Sequence, residues 1–193
     1  EEALQALLAL PLLLVVDEAY IECTKEGGRL GEKLSFIREV QKHENLVVLR
    51  TFSKWAGLAG LRVGYGTFPE WLITALWKIK QPYNVNVAGT QAALASLADL
   101  DFLAKNVALL REERARLFDL LGKIPFLSPY PSQTNFILCR VSGIPAADLK
   151  NTLAQKGVLV RYYTSKGLAD CIRISVGRPL DTERLIRALE ELL

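Results

Sequence analysis

Short apolar runs alternate with amphipathic stretches through the first half of the chain. Residues 12–16 and 46–49 contain no polar side chain, which is typical of strands covered on both faces of a parallel sheet. Residues 62–68 form a third strand-like run, in which glycines allow close approach of other groups. Helices are predicted where apolar positions recur at helical spacing, at 1–10, 33–41, 69–80 and 87–97. We therefore expect an α/β unit with a mostly parallel sheet.

The pattern changes after residue 100. A long helix is predicted for 101–121, and we expect its charged run at 111–116 to lie mostly on the solvated face. Further elements follow in the order strand 134–141, helix 146–156, strands 158–162 and 171–176, and helix 182–192. This succession predicts a small α+β domain whose sheet is covered by helices on one side. We assign 1–100 to part of a large domain, and 101–193 to an interdomain helix and a small C-terminal domain.

Composition and charge exclude several classes of protein. Half of the 193 residues are hydrophobic and 23% are charged, so a buried core is available. The net charge of +3 is spread along the chain, which argues against a nucleic-acid-binding arm. The apolar stretch at 7–16 is too short to span a membrane and ends in acidic residues. We expect neither a nucleic-acid partner nor a membrane partner.

Cysteine and histidine usage argues against a metal site. His43 is the only histidine, and it lies in a polar run. Cys23, Cys139 and Cys171 are far apart and have no C-x-x-C spacing. We interpret them as reduced core thiols, which indicates a reducing compartment.

A candidate ligand group follows the first apolar run, in Asp17-Glu18-Ala19-Tyr20. An aspartate at the carboxyl end of a buried parallel strand lies where α/β folds place ligand-binding groups. Its carboxylate would keep the pyridine nitrogen of pyridoxal phosphate protonated, and the hydroxyl of Tyr20 could contact the ring oxygen. On these residues alone, a capping aspartate with a packing tyrosine is the simpler interpretation.

A second candidate group follows the second apolar run. Ser53 and Lys54 precede a segment in which Gly57 and Gly60 allow tight turns and Arg62 adds a cation. A lysine amine can form a Schiff base with a cofactor aldehyde and then move a proton on the substrate. Ser53 and Arg62 are suited to a phosphate group. Together with Asp17 and Tyr20, these residues indicate a pyridoxal phosphate site.

Two arginines in the second half are candidates for an anion pocket. Arg161 and Arg173 each lie among strand-forming aliphatic side chains. Either one could be an ordinary edge-strand arginine. As a pair on adjacent strands they suggest that an anionic substrate binds here.

Several segments, in this order, resemble the histidinol-phosphate aminotransferase family, which are fold-type I pyridoxal phosphate enzymes of histidine biosynthesis. The segments are DEAYIE at 17–22, TFSK at 51–54, AGLRVGY at 59–65, QPYNV at 81–85, SQTNF at 132–136 and IRISVG at 172–177. By that resemblance Asp17 pairs with the pyridine nitrogen, Tyr20 with the ring hydroxyl, and Lys54 is the Schiff-base lysine. Ser53 and Arg62 hold the cofactor phosphate.

The resemblance also implies how the substrates are bound. Arg173 takes the carboxylate of glutamate or 2-oxoglutarate and, in the other half-reaction, the phosphate of histidinol phosphate. Arg161 matches a second arginine near that phosphate, and Asn135 matches a position close to the substrate. The resemblance further implies a homodimer, and its closeness to plant-type members implies a plastid stroma as an alternative to the cytoplasm.

We expect the chain to correspond to the second half of such an enzyme and to be incomplete by itself. Two alternatives stay open at this point. One is a related pyridoxal phosphate enzyme, either another aminotransferase or a decarboxylase of an amino-acid phosphate. The other is a catalytically incomplete fragment that only associates with other chains.

Overall fold

The chain divides into two compact units, Glu1–Val107 and Ala108–Leu193. The computed structural model describes residues 2–193. The long helix α4 (Leu100–Leu121) contains the boundary between the units. The assignment of 1–100 and 101–193 to two domains of a larger enzyme stays a prediction.

The first unit is built on a three-stranded sheet with the order β1-β2-β3. Its strands are β1 (Leu14–Asp17), β2 (Leu46–Thr51) and β3 (Gly64–Thr67). β1 and β2 are parallel, with Leu14 opposite Leu46, whereas β3 is antiparallel to β2. The apolar pattern located these strands, but it contains no information on the direction of the third. The helices of this unit are α1 (Glu2–Leu8), α2 (Glu70–Ile79), α3 (Val87–Ala98) and the first part of α4.

The helix predicted for 33–41 is wrong. This segment consists of turns and a short 3-10 helix, Glu39–Lys42. The backbone N–H of Phe36 donates to the Glu18 carboxylate at 2.7 Å, and the Ser35 hydroxyl donates to the same group at 2.8 Å. The distant Glu18 carboxylate therefore takes the Phe36 N–H, a backbone donor that is no longer available to a helix.

The second unit contains a four-stranded antiparallel sheet with the order β4-β5-β7-β6. The strands are β4 (Leu127–Pro129), β5 (Phe136–Val141), β6 (Arg161–Tyr162) and β7 (Cys171–Ser175), and the helices are α5 (Ala146–Gln155) and α6 (Pro179–Glu190). The core joins Leu121 of α4, Leu153 of α5 and Leu189 of α6 to the buried strand residues Ile137 and Ile172. The predicted α+β arrangement is confirmed, while β4 was not predicted from the sequence.

The charged run at 111–116 is less exposed than predicted. Glu113 and Arg114 are buried. Arg114 Nη1 donates to the carbonyl of Thr134 at 2.8 Å. This side chain therefore stabilises the loop before β5 and does not face solvent. Helical periodicity locates such a position near the apolar face but does not show what partner an arginine finds there.

Three further observations concern membrane-spanning helices, metal ligands and cysteines. The described residues, 2–193, include no helix that is both long enough and apolar enough to cross a membrane. Within the same range no group of histidine, cysteine and carboxylate side chains could hold a metal ion. Cys23, Cys139 and Cys171 are buried thiols, and burial raises the pKa of the Cys139 thiol to about 12.

Candidate active site

One edge of the first sheet collects the residues of the predicted cofactor site. Because β1 and β2 are parallel, their carboxyl ends lie at the same edge, and the antiparallel β3 begins there, with Gly64 opposite Thr51. Asp17 ends β1, Lys54 follows the end of β2, and Arg62 precedes β3. Strand direction alone therefore brings these three segments to one place.

The turn after β1 presents Asp17 and Tyr20. The carboxylate of Asp17 accepts the backbone N–H of Ala19 at 2.9 Å, which closes a tight turn. Tyr20 is half-buried, and Lys54 Nζ lies 5.2 Å from the centroid of its ring. Asp17 itself is exposed, although the strand before it was predicted to be covered on both faces. The alternating burial of β1 explains this, because Val15 and Asp17 share its open face.

Ser53 and Arg62 form a second pair at this edge. Arg62 Nη1 lies 3.5 Å from the Ser53 hydroxyl and donates to the carbonyl of Ala59 at 2.8 Å. Arg62 has φ 57° and ψ 44°, a left-handed conformation that costs a residue with a side chain about 1 kcal/mol. This conformation turns the chain so that a guanidinium and a hydroxyl lie side by side, which is a donor set for a phosphate.

Packing beneath the edge fixes the Ser53–Arg62 segment. The backbone N–H of Phe52 donates to the carbonyl of Val63 at 3.1 Å, and both side chains belong to one buried cluster with Trp55. Asn86 caps α3 by accepting the N–H of Gly89 at 2.7 Å, and its amide nitrogen donates to the carbonyl of Leu61 at 3.0 Å. The residue next to Arg62 is thus held by the start of a helix. Neither Trp55 nor Asn86 was singled out from the sequence.

The two arginines of the second unit lie directly opposite each other. Arg161 of β6 and Arg173 of β7 lie on adjacent strands, as predicted, and pair in register. The Arg173 guanidinium lies 4.8 Å from the ring of Phe136 and 5.8 Å from that of Tyr163, and the Arg161 guanidinium lies 5.6 Å from the same Tyr163 ring. Among residues 2–193, the buried Nε of Arg173 has no hydrogen-bond partner. Like charges directly opposite on two strands destabilise a sheet, and an anion between them would offset that cost.

Asn135 immediately precedes β5 and lies close to the end of β7. Its carbonyl accepts the backbone N–H of Val176 at 2.9 Å. Arg114 binds the carbonyl of the preceding Thr134 and so supports this loop. The structure therefore places Asn135 in the second unit with Arg161 and Arg173, while Asp17, Tyr20, Ser53, Lys54 and Arg62 share the edge of the first unit.

Comparison with known proteins assigns the chain to a family. A family model described as aminotransferase class I and II matches residues 1–192. This chain belongs to the class I and II aminotransferases. The family is pyridoxal phosphate-dependent.

Individual aminotransferases resemble the chain over nearly all of its length. It is 51% identical over 191 residues to the chloroplastic histidinol-phosphate aminotransferase of Nicotiana tabacum, covering 98% of this chain and 45% of that protein. The histidinol-phosphate aminotransferase structure from Clostridium acetobutylicum is 27% identical with a TM-score of 0.87, covering 100% of this chain and 58% of that one. The enzyme from Sinorhizobium meliloti, solved with pyridoxal-5'-phosphate, is 30% identical with a TM-score of 0.83, covering 100% and 53%. The chain thus spans about half the length of the aminotransferases it matches, and the predicted α/β, fold-type I class is confirmed.

The residues at the edge fit the cofactor of the aminotransferases. Pyridoxal phosphate needs a carboxylate for its ring nitrogen, an amine for its aldehyde and donors for its phosphate. Asp17 ends a strand at this edge. Lys54 Nζ forms no ion pair with another described residue and lies over the Tyr20 ring. Arg62 lies beside the Ser53 hydroxyl. Each of the three requirements is met by side chains on neighbouring segments.

A buried charge cluster behind this edge was not predicted from the sequence. Arg50 of β2 lies 3.0 Å from Glu18 and 3.7 Å from Glu22, and the side chains of both glutamates are almost fully buried. Burial raises the pKa of the Glu22 carboxyl from 4.5 to about 7. The sequence alone does not show this cluster, because Arg50 comes from a second strand and only the fold brings it to the two glutamates.

The raised pKa of Glu22 predicts a pH dependence of stability. Between its ordinary pKa of 4.5 and about 7, the folded chain holds a proton that the unfolded chain has released. The contribution of Glu22 to the free energy of unfolding therefore falls as pH rises through this range. We expect the free energy of unfolding of the wild type minus that of Glu22→Gln to fall by about 1–3 kcal/mol between pH 5 and pH 8.

Tryptophan fluorescence during urea unfolding measures this difference, because Trp55, Trp71 and Trp77 all lie in the first unit. Glu44→Gln changes an exposed glutamate of the same unit and serves as the control. A wild-type-minus-variant difference that stays flat with pH for Glu22→Gln, as for the control, would contradict the raised pKa.

Proposed function

We propose that this chain carries the cofactor lysine and the substrate arginines of a histidinol-phosphate aminotransferase. The enzyme interconverts L-histidinol phosphate and 2-oxoglutarate with imidazole acetol phosphate and L-glutamate, in histidine biosynthesis. The observation that carries the proposal is the convergence of Asp17, Lys54 and the Ser53–Arg62 pair at one sheet edge. The 51% identity to the tobacco protein of that name supports the choice among aminotransferases.

The side chains at the edge divide the chemistry among them. Pyridoxal phosphate, when bound, supplies an electron sink for the electron pair left on the substrate carbon. Asp17 would hold a proton at the pyridine nitrogen, and the Tyr20 hydroxyl would donate to the ring oxygen. Lys54 Nζ would hold the cofactor and then move a proton to and from the substrate carbon. Ser53 and Arg62 would bind the phosphate.

The arginines of the second unit would orient the substrates. A guanidinium donates hydrogen bonds to a carboxylate or a phosphate with similar geometry, so Arg173 can bind glutamate in one half-reaction and histidinol phosphate in the other. The rings of Phe136 and Tyr163 hold its guanidinium in place. Arg161, opposite Arg173 in the sheet, would add a second positive charge for the phosphate, and Asn135 would lie close to the bound substrate.

We also propose a homodimer in a reducing compartment, either the cytoplasm or a plastid stroma. Large apolar side chains of the first unit are exposed, among them Trp77, Ile79 and Val87, and such a surface is typical of a protein interface. The chloroplastic relative and the buried cysteine thiols support the reducing compartment.

Substitution of Arg173 tests the proposed substrates. We expect Arg173→Gln to raise KM for histidinol phosphate roughly thirtyfold or more, since removal of one partner from a charge-assisted contact costs about 2 kcal/mol or more. Arg140→Gln removes another arginine of the same sheet, one already paired with Asp170 at 2.9 Å, and should leave KM unchanged. Glutamate formation is assayed with the chain alone and with the part of the tobacco relative that it does not match.

Other outcomes separate the alternatives. Equal KM values for Arg173→Gln and Arg140→Gln would contradict the role of Arg173. Release of CO₂ from a phosphorylated amino acid, without transamination of histidinol phosphate, would indicate a decarboxylase. Binding to the added segment without either reaction would indicate a fragment that only associates with other chains.

The dimer proposal predicts a change in sedimentation. At micromolar concentration we expect the chain to sediment as a dimer and Trp77→Glu as a monomer, because a buried charge weakens an apolar interface. Leu159→Glu alters an apolar position of the second unit that is 85% exposed, against 67% for Trp77, and is the control. A wild-type chain that stays monomeric, or a Trp77→Glu variant that stays dimeric, would contradict the proposed interface.

A further inference from the structure

A buried carboxylate lies directly behind the turn that carries Asp17 and Tyr20. Glu18 is 5% exposed, and its backbone N–H donates to the carbonyl of Leu49 in β2 at 2.9 Å. Its carboxylate accepts hydrogen bonds from Arg50 Nε at 3.0 Å, from the Ser35 hydroxyl at 2.8 Å and from the Phe36 N–H at 2.7 Å. The turn is therefore fixed through both the backbone and the side chain of Glu18.

Arg50 connects this carboxylate to the segment that carries Lys54. It lies on β2, opposite Tyr65 of β3, and its Nη1 lies 3.4 Å from the Tyr65 hydroxyl. The next residue, Thr51, accepts the Ser53 N–H with its hydroxyl at 3.0 Å and Trp55 Nε1 with its carbonyl at 2.9 Å. A continuous series of contacts thus joins the turn after β1 to the segment after β2.

Stability alone does not account for this ion pair. Removing two charges from water costs about as much as their attraction returns, and apolar side chains of similar volume often stabilise a core equally well. Unlike apolar packing, the hydrogen bonds of Glu18 and Arg50 are directional. A carboxylate that accepts three hydrogen bonds, one of them from a guanidinium, fixes the relative positions of the segments that it joins. The residues whose relative position they fix are Tyr20 and Lys54, which lie 5.2 Å apart from ring centroid to Nζ.

We propose that the Glu18–Arg50 ion pair is a positioning contact, which sets the turn carrying Asp17 and Tyr20 against the segment carrying Lys54. The inference rests on the proposed function, in which Lys54 Nζ is the group that receives the cofactor. Glu18 and Arg50 touch neither cofactor nor substrate in this proposal. They act by holding the Lys54 amine over the Tyr20 ring.

The reactivity of Lys54 in the cofactor-free chain tests the proposal. Brief treatment with isotope-coded acetic anhydride, followed by mass spectrometry, gives the acetylation rate of Lys54 relative to the exposed Lys78. We expect Glu18→Gln and Arg50→Lys to raise this ratio roughly two- to fivefold, because the amine loses a cation–π contact of about 0.5–1 kcal/mol and becomes more accessible. Ser35→Ala removes one of the three donors to Glu18 and should give a smaller rise.

A matched control comes from the second unit. Glu113 is also buried and lies 2.7 Å from Arg116, so Glu113→Gln breaks an ion pair within the second unit and should leave the ratio at the wild-type value. Far-UV circular dichroism confirms that each variant is folded, because the three tryptophans lie in the first unit and do not report on Glu113→Gln. If Glu18→Gln unfolds, Ser35→Ala decides the result. A ratio equal to that of Glu113→Gln in the folded variants would overturn the proposal.

A second readout separates this proposal from the proposed function. We expect the affinity for pyridoxal phosphate, measured by absorbance titration, to fall roughly tenfold in Glu18→Gln, as for loss of other groups that orient a ligand-binding residue. A wild-type chain that binds no pyridoxal phosphate at Lys54, but whose acetylation ratio still rises in Glu18→Gln, would refute the proposed function and retain the positioning contact. Normal cofactor binding with an unchanged ratio would retain the function and overturn the positioning contact.

Discussion

The parallel pairing of β1 and β2 is the constraint on which the candidate active site depends. Parallel strands end at the same edge of a sheet, so the residues that follow them are brought together although they are distant in sequence. Asp17 and Lys54 meet in this way, and the antiparallel β3 returns Arg62 to the same edge. A shift of one residue in the register of β1 would turn Asp17 to the other face of the sheet. The backbone contact from Glu18 to Leu49 and the ion pair from Glu18 to Arg50 both oppose such a shift.

The second unit meets a different physical requirement. Its sheet packs Ile137 and Ile172 against the helices, while Arg173 and Arg161 pair across two strands. Two guanidinium groups held against aromatic rings gain from the rings but repel each other. This arrangement favours a bound anion, and carboxylate and phosphate groups are the anions of the proposed substrates. In a sheet without a ligand, two arginines directly opposite each other would only destabilise the strand pairing.

Much of this architecture could be predicted from the sequence, because its signals are local. Continuous apolar runs located β1 and β2, and their polar flanking residues located the candidate site. What could not be predicted depends on partners distant in sequence. The segment at 33–41 has helical periodicity, yet a backbone N–H of this segment donates to the Glu18 carboxylate. The direction of β3 follows from its pairing with β2, and the burial of Arg114 follows from its contact with the loop before β5. The exposure of Asp17 likewise reflects which face of β1 is covered, and periodicity does not distinguish the two faces.

We propose above all that Lys54 is the amine that receives pyridoxal phosphate. Reduction of the chain with borohydride in the presence of the cofactor, followed by digestion and mass spectrometry, locates any pyridoxyl-lysine directly. We predict label concentrated on Lys54 at low cofactor concentration. This label should be lost in Arg62→Gln under the same conditions, because the phosphate is no longer held beside the amine. Label spread over exposed lysines such as Lys78, with no preference for Lys54, would contradict it.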